Sequence, residues 1–369
     1  MRTIKKTFLS FATLLLAVGC GRTAAPVSER IQVEFNNSIN PLANVVESVI
    51  LVPLETDSEH LIGSMADIIV TDDSYVVIDG QNGNIFRYTL DGRFLNAIGR
   101  RGNGPEEYVH INDVQYRDSS LYVYSVPSKI QHFSLDGTML GARTFDDQEL
   151  GVMSWLTPDG VLTYYGYGSG REGRFALLSG DSPKFFYPSD EKVMNLTPAA
   201  QIFSASGDSV FVVDSYSDVV KLYRSGQMYD GPSFDFGKYA IPGSFFEQDD
   251  SFLAMDSLLG SEFATISQYL CDGESRLLLF NVQKGMDLNS YGGLFTGANW
   301  IWFGIGKFGE NVLAGAFHQL RDGVLYCLLD PSLISGYPSS LKAVTVNPDV
   351  LDSISEESNY IIAKIQLKR

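Results

Sequence analysis

A short apolar strand recurs six times in this chain, and its spacing restricts the possible folds more than any other feature. The copies stand at 75–78, 121–124, 161–164, 210–213, 277–280 and 324–327. Four of the five intervals lie between 40 and 49 residues, and the interval between the fourth and fifth copies is 67. A period of this length, holding about four short strands, is typical of one blade of a β-propeller.

A second marker runs in phase with the first. Asp91-Gly92 and Asp136-Gly137 lie 45 residues apart, each between alternating strands. Asp-Gly in this setting is a strong hairpin signal, because the turn needs positive φ angles. A large sandwich or barrel with irregular strand spacing is the alternative, and two markers in phase favour the propeller.

The two ends of the chain can complete the ring. An apolar strand at 49–54 precedes the first copy, and another at 360–367 ends the chain. A propeller must close to cover the exposed faces of its first and last blades. We therefore predict an all-β, six-bladed β-propeller over residues 41–369, closed by its N- and C-terminal strands.

The N-terminus has the layout of an export signal. Basic residues at positions 2, 5 and 6 precede an apolar run at 8–18, which is too short to span a bilayer. Residues 1–19 are therefore interpreted as a cleaved signal peptide. Small residues directly before Cys20 favour lipid attachment at that cysteine over a chance cysteine in an ordinary secretory signal. We expect residues 20–40 to hold the lipidated cysteine and a flexible tether.

The charge of the chain excludes some partners. Removal of 1–19 would take the formal net charge from −17 to −20, and nucleic-acid binding requires clustered Lys and Arg instead. The same charge opposes docking on anionic lipid, so the N-terminal lipid would be the only membrane anchor. Cys271 and Cys327 stand in apolar runs and are predicted to be buried free thiols.

Several segments resemble a known family. The strand at 75–79, the Asp91-Gly92 hairpin and the Gly-rich segment at 98–108 are similar to the first blade of the six-bladed propeller lipoproteins of Bacteroidales. The ending around Asn359 and Lys368 is also similar, with Tyr360 in place of the usual Pro. This family is distantly similar to NHL and TolB-type propellers. The resemblance implies the fold and an envelope location, and little chemistry.

The segment after the first blade is the first candidate for a ligand surface. Its charged and aromatic residues could contact a partner on one rim of the ring. The alternative is structural: glycines and a proline set the crossover, while an acidic side chain pairs with Arg or caps backbone amides. The candidates are Arg100, Arg101, Glu106, Glu107 and Tyr108.

The central channel is the second candidate. Asp67 and Asp113 lie eight residues before the first two marker strands, and Asn112 stands beside Asp113. The same offset gives Met153, Ile202, Tyr269 and Ala316 in the other blades. Two carboxylates are too few for a calcium cage, so no metal is predicted, and capping of loops is the alternative role. Asp79 and Asp214, which follow marker strands, are interpreted as turn caps.

Other motifs favour no catalytic chemistry. Gly304 to Gly309 matches a dinucleotide fingerprint only formally, because a strand-like run follows it instead of a helix, so no cofactor is predicted. Histidine occurs only at 60, 110, 132 and 318, with no zinc-ligand spacing.

The long interval between the fourth and fifth markers contains a helix-like stretch at 245–262, which should project from one face. Tyr291, Trp300 and Trp302 follow it in an aromatic-rich stretch that would suit sugars or peptides. Trp300 and Trp302, two residues apart, could equally pack one side of a blade.

The sequence therefore favours a non-catalytic binding or scaffold lipoprotein for a protein, peptide or glycan partner. The alternative is a propeller enzyme, lactonase-like or glycan lyase-like, acting at the channel mouth. That alternative requires three or more converging carboxylates, or a His facing an Arg. No acidic run follows Cys20, which favours a periplasm-facing position on the outer membrane and leaves surface exposure open.

Overall fold

The computed structural model describes residues 29–368 except 105, 127, 147–149, 181, 190–192, 194–200 and 249. Its strands form six antiparallel sheets of four strands, one of which gains a fifth, parallel strand. The predicted signal peptide and Cys20 lie outside the described residues. Within the described part of the chain, no helix combines the length and apolar character needed to cross a bilayer.

The first three elements along the chain are β1 (Arg30–Gln32), α1 (Asn40–Val45) and β2 (Val46–Pro53). Blade 1 contains β3 (Ala66–Val70), β4 (Ser74–Asp79), β5 (Asn84–Thr89) and β6 (Phe94–Ala97). Blade 2 contains β7 (His110–Arg117), β8 (Ser120–Val126), β9 (Lys129–Ser134) and β10 (Met139–Thr144). Blade 3 contains β11 (Met153–Thr157), β12 (Gly160–Tyr164), β13 (Gly173–Leu178) and β14 (Lys184–Pro188).

Blade 4 contains β15 (Phe203–Ser206), β16 (Ser209–Val212), β17 (Val219–Arg224) and β18 (Gln227–Asp235). The insertion after it holds 3-10 turns at Gly237–Tyr239 and Gly243–Phe245 and the helix α2 (Ser251–Gly260). Blade 5 contains β19 (Ala264–Asp272), β20 (Ser275–Lys284), β21 (Asp287–Thr296) and β22 (Trp300–Lys307). Blade 6 begins with β23 (Phe317–Arg321) and β24 (Val324–Leu329). A 3-10 turn at Pro331–Gly336 follows, then α3 (Ser339–Lys342), α4 (Val350–Ser353) and β25 (Ile361–Leu367).

The six marker strands of the sequence are the second strands of the six blades: β4, β8, β12, β16, β20 and β24. A second strand has a neighbouring blade on each face, so both sets of its side chains are buried, and a continuous apolar run results. In β4 all six residues are buried. The two Asp-Gly turns join the third and fourth strands of blades 1 and 2. The predicted six-bladed propeller is confirmed.

Closure of the ring joins the two ends of the chain. β25 pairs with β24 on one side and with β2 on the other, so β2 is the outer strand of blade 6. The segment between β24 and β25 then covers the free edge of β2, because Asn347 accepts from the amide of Leu51 at 3.0 Å and donates to its carbonyl at 2.8 Å. The predicted closure by terminal strands is confirmed.

The segment expected to be a tether is ordered in part. β1 lies within 20–40 and adds a parallel fifth strand to the outer edge of blade 4. Ile31 and Val33 are buried while their neighbours are exposed, so this strand covers an edge and adds to the core. Alternation of apolar and polar residues from Ile31 to Phe35 was a signal for it in the sequence.

Adjacent inner strands are linked by glutamines that are buried or half-buried. Gln115 of β7 donates to the carbonyl of Leu156 in blade 3 at 3.0 Å and accepts from its amide at 2.8 Å. Gln319 of β23 accepts from the amide of Val70 in blade 1 at 2.8 Å. Inner strands of neighbouring blades share no ladder, so these contacts satisfy backbone groups that would otherwise face the channel wall unpaired.

Candidate functional site

One face of the ring collects most of the irregular chain, and we call it the top face. It is defined by the starts of the inner strands, such as β3 and β7, and by the ends of the second strands, such as β4 and β8. The crossover at 98–109, the insertion at 236–263 and the long segment at 330–360 all belong to this face by their position between strands. The hairpin turns at the opposite face are short.

The central channel opens on the top face as a cavity of about 230 Å³ lined by all six inner strands. We call its polar end the channel mouth, formed by Asp67, Asp113, Met153, Gln201 and His318. These residues come from blades 1, 2, 3 and 6 and from the start of blade 4. Deeper in the channel the wall becomes aromatic and apolar, with Tyr116, Trp155 and Leu320.

One polar contact across the channel mouth joins blades 1 and 6. Nδ1 of His318 lies 2.6 Å from Oδ1 of Asp67. The Asp67 side chain is 56% exposed, while that of His318 is 13% exposed. The backbone amide of Ile68 donates to the same Asp67 oxygen at 2.6 Å. Asp67 therefore orients the imidazole and keeps part of its carboxylate open toward the mouth.

Asp113 stands in a drier position. Its Oδ1 accepts from the amide of Val114 at 2.8 Å. Burial in the channel wall raises the pKa of Asp113 to about 8, and the like charge of Asp67 adds to the rise. At neutral pH this carboxyl is largely protonated, so it can both donate and accept hydrogen bonds.

The raised pKa of Asp113 predicts that stability falls with rising pH. Between about pH 4 and 8 the folded state holds a proton on Asp113 that the unfolded state has lost, so each step up in pH favours unfolding. The variant Asp113→Asn has no titratable group at this position. We expect its free energy of unfolding in urea, relative to that of the wild type, to rise from pH 6 to pH 9. A difference in free energy that does not change with pH would contradict the raised pKa.

The sequence offset found Asp67 and Asp113 and missed His318. A β-bulge in β23 leaves His318 between Phe317, paired with Cys327, and Gln319, paired with Tyr326. Bulges of this kind turn one side chain away from the regular alternation. Another bulge in β7 occupies Asn112, which is exposed beside Asp113. Counting back eight residues from the marker strand reached Ala316 instead of His318, because Arg321 lies opposite Val324 in blade 6, whereas Val70 lies opposite Tyr75 in blade 1, two residues further from the marker.

Among the described residues, the channel mouth has neither arrangement required for the enzyme alternative. It holds two carboxylates, and its histidine faces a carboxylate. Among the described residues, no group of three His, Cys, Asp or Glu side chains could hold a metal ion. The channel mouth presents hydrogen-bonding groups at the rim of a partly apolar cavity.

The crossover residues divide into supporting and exposed groups. Glu107 binds Nε of Arg100 at 2.6 Å and the amide of Gly104 at 2.7 Å. The Gly104 amide and Arg100 hold the pKa of Glu107 below its usual range. Tyr108 is buried, and its hydroxyl donates to the carbonyl of Ile98 at 3.4 Å. Glu107 and Tyr108 thus stabilise the loop.

The other charged side chains of the crossover are exposed to solvent. The Arg100 side chain is 80% exposed despite its ion pair. Arg101 and Glu106 are exposed as well. The structure brings these residues to the rim of the top face at the junction of blades 1 and 2.

Tyr291, Trp300 and Trp302 lie in the packing between blades 4 and 5. The rings of Trp300 and Trp302 stack with centroids 5.3 Å apart, and Phe234 of blade 4 meets Trp300 edge-on at 5.6 Å. Tyr291 stacks on Phe280 at 5.3 Å. Gly293 leaves the space that the Trp302 ring occupies. Packing contacts within the protein therefore explain the positions of these three rings.

The two acids interpreted as turn caps behave differently. Asp79 accepts from the amide and side chain of Asn82, as expected of a cap. Asp214 is buried like Asp79, but it forms an ion pair with Nε of Arg174 at 3.0 Å. The interpretation of Asp214 was wrong, because the tertiary fold brings an arginine of blade 3 to it. Burial raises the pKa of Asp214 even though Arg174 opposes the rise.

Cys271 and Cys327 are both free and buried, as predicted. Cys271 lies in β19 and Cys327 in β24, within the packing of blades 4 to 6. Burial raises the pKa of both thiols. A thiol that is buried and protonated is a poor nucleophile.

Known structures share this fold. A protein of Bacteroides fragilis described as exported is 18% identical, with a TM-score of 0.72 over 93% of this chain and 99% of that one. A member of the DUF4221 family from Bacteroides vulgatus is 10% identical, with a TM-score of 0.58 over 88% of this chain and 98% of that one. At these identities the likeness concerns the fold alone. No curated protein matches the chain.

The family model agrees with the extent of the propeller. It matches residues 29–366, which run from just before β1 to the last strand of the closing blade. The match covers the ring, its insertion and the top face in one piece. The chain belongs to the family described as a domain of unknown function, DUF4934.

Proposed function

We propose that this protein is a non-catalytic binding or scaffold protein of the cell envelope. Residues 1–19 direct export, a lipid on Cys20 anchors the chain in the outer membrane facing the periplasm, and the propeller holds a partner on its top face. The signal-like N-terminus and the absence of an acidic run after Cys20 support the location. The description of the Bacteroides fragilis protein as exported is consistent with it.

The channel mouth is the observation that carries the binding proposal. Donors and acceptors from several blades converge there on a cavity of about 230 Å³. The formal net charge of −17 and the carboxylate of Asp67 favour a partner that presents basic groups, and the protonated Asp113 can hydrogen-bond to a hydroxyl or carbonyl group of that partner. A basic peptide fits this chemistry better than an anionic glycan.

Peptide and glycan arrays probed with the purified protein test this proposal. We expect binding to Lys- or Arg-containing peptides, with at least a tenfold loss for the double variant Asp67→Asn, Asp113→Asn, since a hydrogen bond to the charged Asp67 contributes about 1.5–3 kcal/mol. Asp208→Asn removes one exposed carboxylate near the opposite face and serves as the control. Equal binding by the double variant and the wild type would remove the channel mouth from the binding site.

One observation favours the enzyme alternative. Asp67 holds His318 through Nδ1 at 2.6 Å, and an imidazole oriented in this way can act as a general base. The test is turnover of lactones and uronic-acid polysaccharides, followed by mass spectrometry, with His318→Gln as the control variant. Product formation that His318→Gln abolishes would replace the binding proposal with an enzymatic one.

The membrane anchor has its own test. Cys20→Ala should release the protein from the membrane fraction, because no other anchor is expected. Protease added to intact cells should leave the wild-type protein uncut if it faces the periplasm. Digestion on intact cells would instead indicate surface exposure.

A further inference from the structure

A second cavity on the top face lies between blade 4 and the insertion that breaks the repeat. Its volume is about 300 Å³. Aromatic side chains from three different parts of the chain line it: Tyr167 after β12, Tyr216 after β16, and Phe236 and Phe246 from the insertion. Ser217 and Asp218 form the polar part of its wall. We call it the aromatic cavity.

The rings of the aromatic cavity are held in place from behind. Tyr167 lies 5.3 Å from Tyr216 and 5.6 Å from Phe246, measured between centroids. Phe245 packs edge-on against Tyr216 at 5.2 Å, and the buried residues Ala254 and Leu258 of α2 belong to the same cluster. The insertion therefore supplies both one wall of the cavity and the packing that fixes it.

Among the described residues, the wall of the aromatic cavity carries one open carboxylate. Arg174 lies over the Tyr167 ring at 4.6 Å, but Asp214 neutralises it at 3.0 Å. Asp218 is exposed, and no basic side chain of the described residues forms an ion pair with it. A ligand in this cavity would lie against aromatic side chains and one open carboxylate.

Two hydroxyls of the cavity wall already have partners within the protein. The Tyr167 hydroxyl donates to Asp214 at 3.3 Å, and the Ser217 hydroxyl donates to the carbonyl of Val219 at 3.2 Å. A sugar ring needs several such partners, and a primary ammonium needs up to three acceptors. An alkylated ammonium needs none, and it is attracted by the negative faces of aromatic rings.

We propose that the aromatic cavity binds an alkylated ammonium group, with the rings around the cation and Asp218 balancing its charge. Trimethylammonium is the simplest member of this class, and either a choline headgroup or a trimethylated lysine could present it. This site is separate from the channel mouth and goes beyond the proposed function.

The test compares choline with its neutral isostere 3,3-dimethylbutan-1-ol, by calorimetry at constant ionic strength on the full-length purified protein. We expect choline to bind at least tenfold more tightly, since a desolvated cation–ring contact contributes about tenfold or more in affinity. Phe246→Leu removes one ring and should weaken choline binding about tenfold. Asp218→Asn should weaken it several-fold, while Asp208→Asn near the opposite face should leave it unchanged.

Three outcomes would overturn the proposal: equal binding of choline and the alcohol, binding of a methyl hexoside in preference to choline, or full affinity in Asp218→Asn. Circular dichroism confirms that Phe246→Leu is folded; if it is not, the exposed Asp218→Asn decides. Phosphocholine and a trimethyl-lysine peptide then identify the source of the group. Because these variants leave the channel mouth intact, failure here is distinguishable from failure of the peptide-binding proposal.

Discussion

Replacing Asp214 by asparagine is expected to lower the free energy of unfolding by about 3–5 kcal/mol, the usual cost of removing one partner from a buried ion pair. Asp214 accepts from Nε of Arg174 at 3.0 Å and from the hydroxyls of Tyr164 and Tyr167, each at 3.3 Å. The Arg174 side chain is only 11% exposed. The variant would remove the carboxylate that this buried guanidinium faces and the acceptor of both tyrosine hydroxyls.

The measurement is urea unfolding followed by tryptophan fluorescence, with Glu262→Gln as the control. Glu262 pairs with Lys284 at 2.6 Å, but both side chains are well exposed, so no measurable change is expected. A loss below about 1 kcal/mol in Asp214→Asn would mean that water reaches Arg174 in the folded state.

The raised pKa of Asp214 adds a second expectation. Its direction shows that burial disfavours the carboxylate by more than Arg174 favours it. Such a pair costs much of its own attraction in desolvation. The double variant Asp214→Leu, Arg174→Met should therefore lose less stability than Asp214→Asn alone. A larger loss in the double variant would show that the hydrogen bonds from the Tyr164 and Tyr167 hydroxyls contribute more to stability than the charge of the ion pair.

Replacing Asn359 by alanine is the second change with a large expected effect, about 3 kcal/mol or more, because three buried or half-buried backbone groups lose their partner. Asn359 is 2% exposed. Its Oδ1 accepts from the amide of Ile62 at 2.9 Å, and its Nδ2 donates to the carbonyls of Glu55 and His60 at 2.7 and 3.0 Å. It joins the start of β25 to the segment between β2 and β3.

The location of Asn359 makes the loss specific to ring closure. Asn359→Asp keeps an acceptor for Ile62 but cannot donate to the two carbonyls, so we expect most of the loss to persist. Asn44→Ala in α1, at an exposed asparagine, is the control. Hydrogen exchange should accelerate first in β2 and β25. Uniform acceleration over all six blades would instead indicate that the ring unfolds as one unit.

The repeat was predictable because its physical cause is local. A second strand with a blade on each face must be apolar throughout, so β4, β8 and their equivalents appear as short apolar runs in the sequence. The Asp-Gly turns were predictable for a similar reason, since Gly92 and Gly137 have φ angles of 89° and 91°, which glycine adopts without strain. The resemblance of the ending to the lipoprotein family drew attention to 358–360, and Asn359 proved to join the closing strands.

The candidate site was predictable only in part. Asp67 and Asp113 occupy regular positions at the start of inner strands, so an offset from the marker strand found them. His318 lies in a bulge of a strand whose pairing begins two residues closer to the marker than in blades 1 and 2, so the same offset did not reach it. The aromatic cavity draws on blade 3, blade 4 and the insertion, and no spacing rule connects residues so far apart in the chain.

The sequence by itself determined the blade count, the closure of the ring and the export-like N-terminus, because each depends on short-range pattern and composition. Only the tertiary structure decided which polar residues share an environment. Asp79 and Asp214 follow equivalent strands, yet one caps a turn and the other neutralises Arg174 in a buried pair. The difference is the neighbour across the blade interface, and long-range packing alone sets that neighbour.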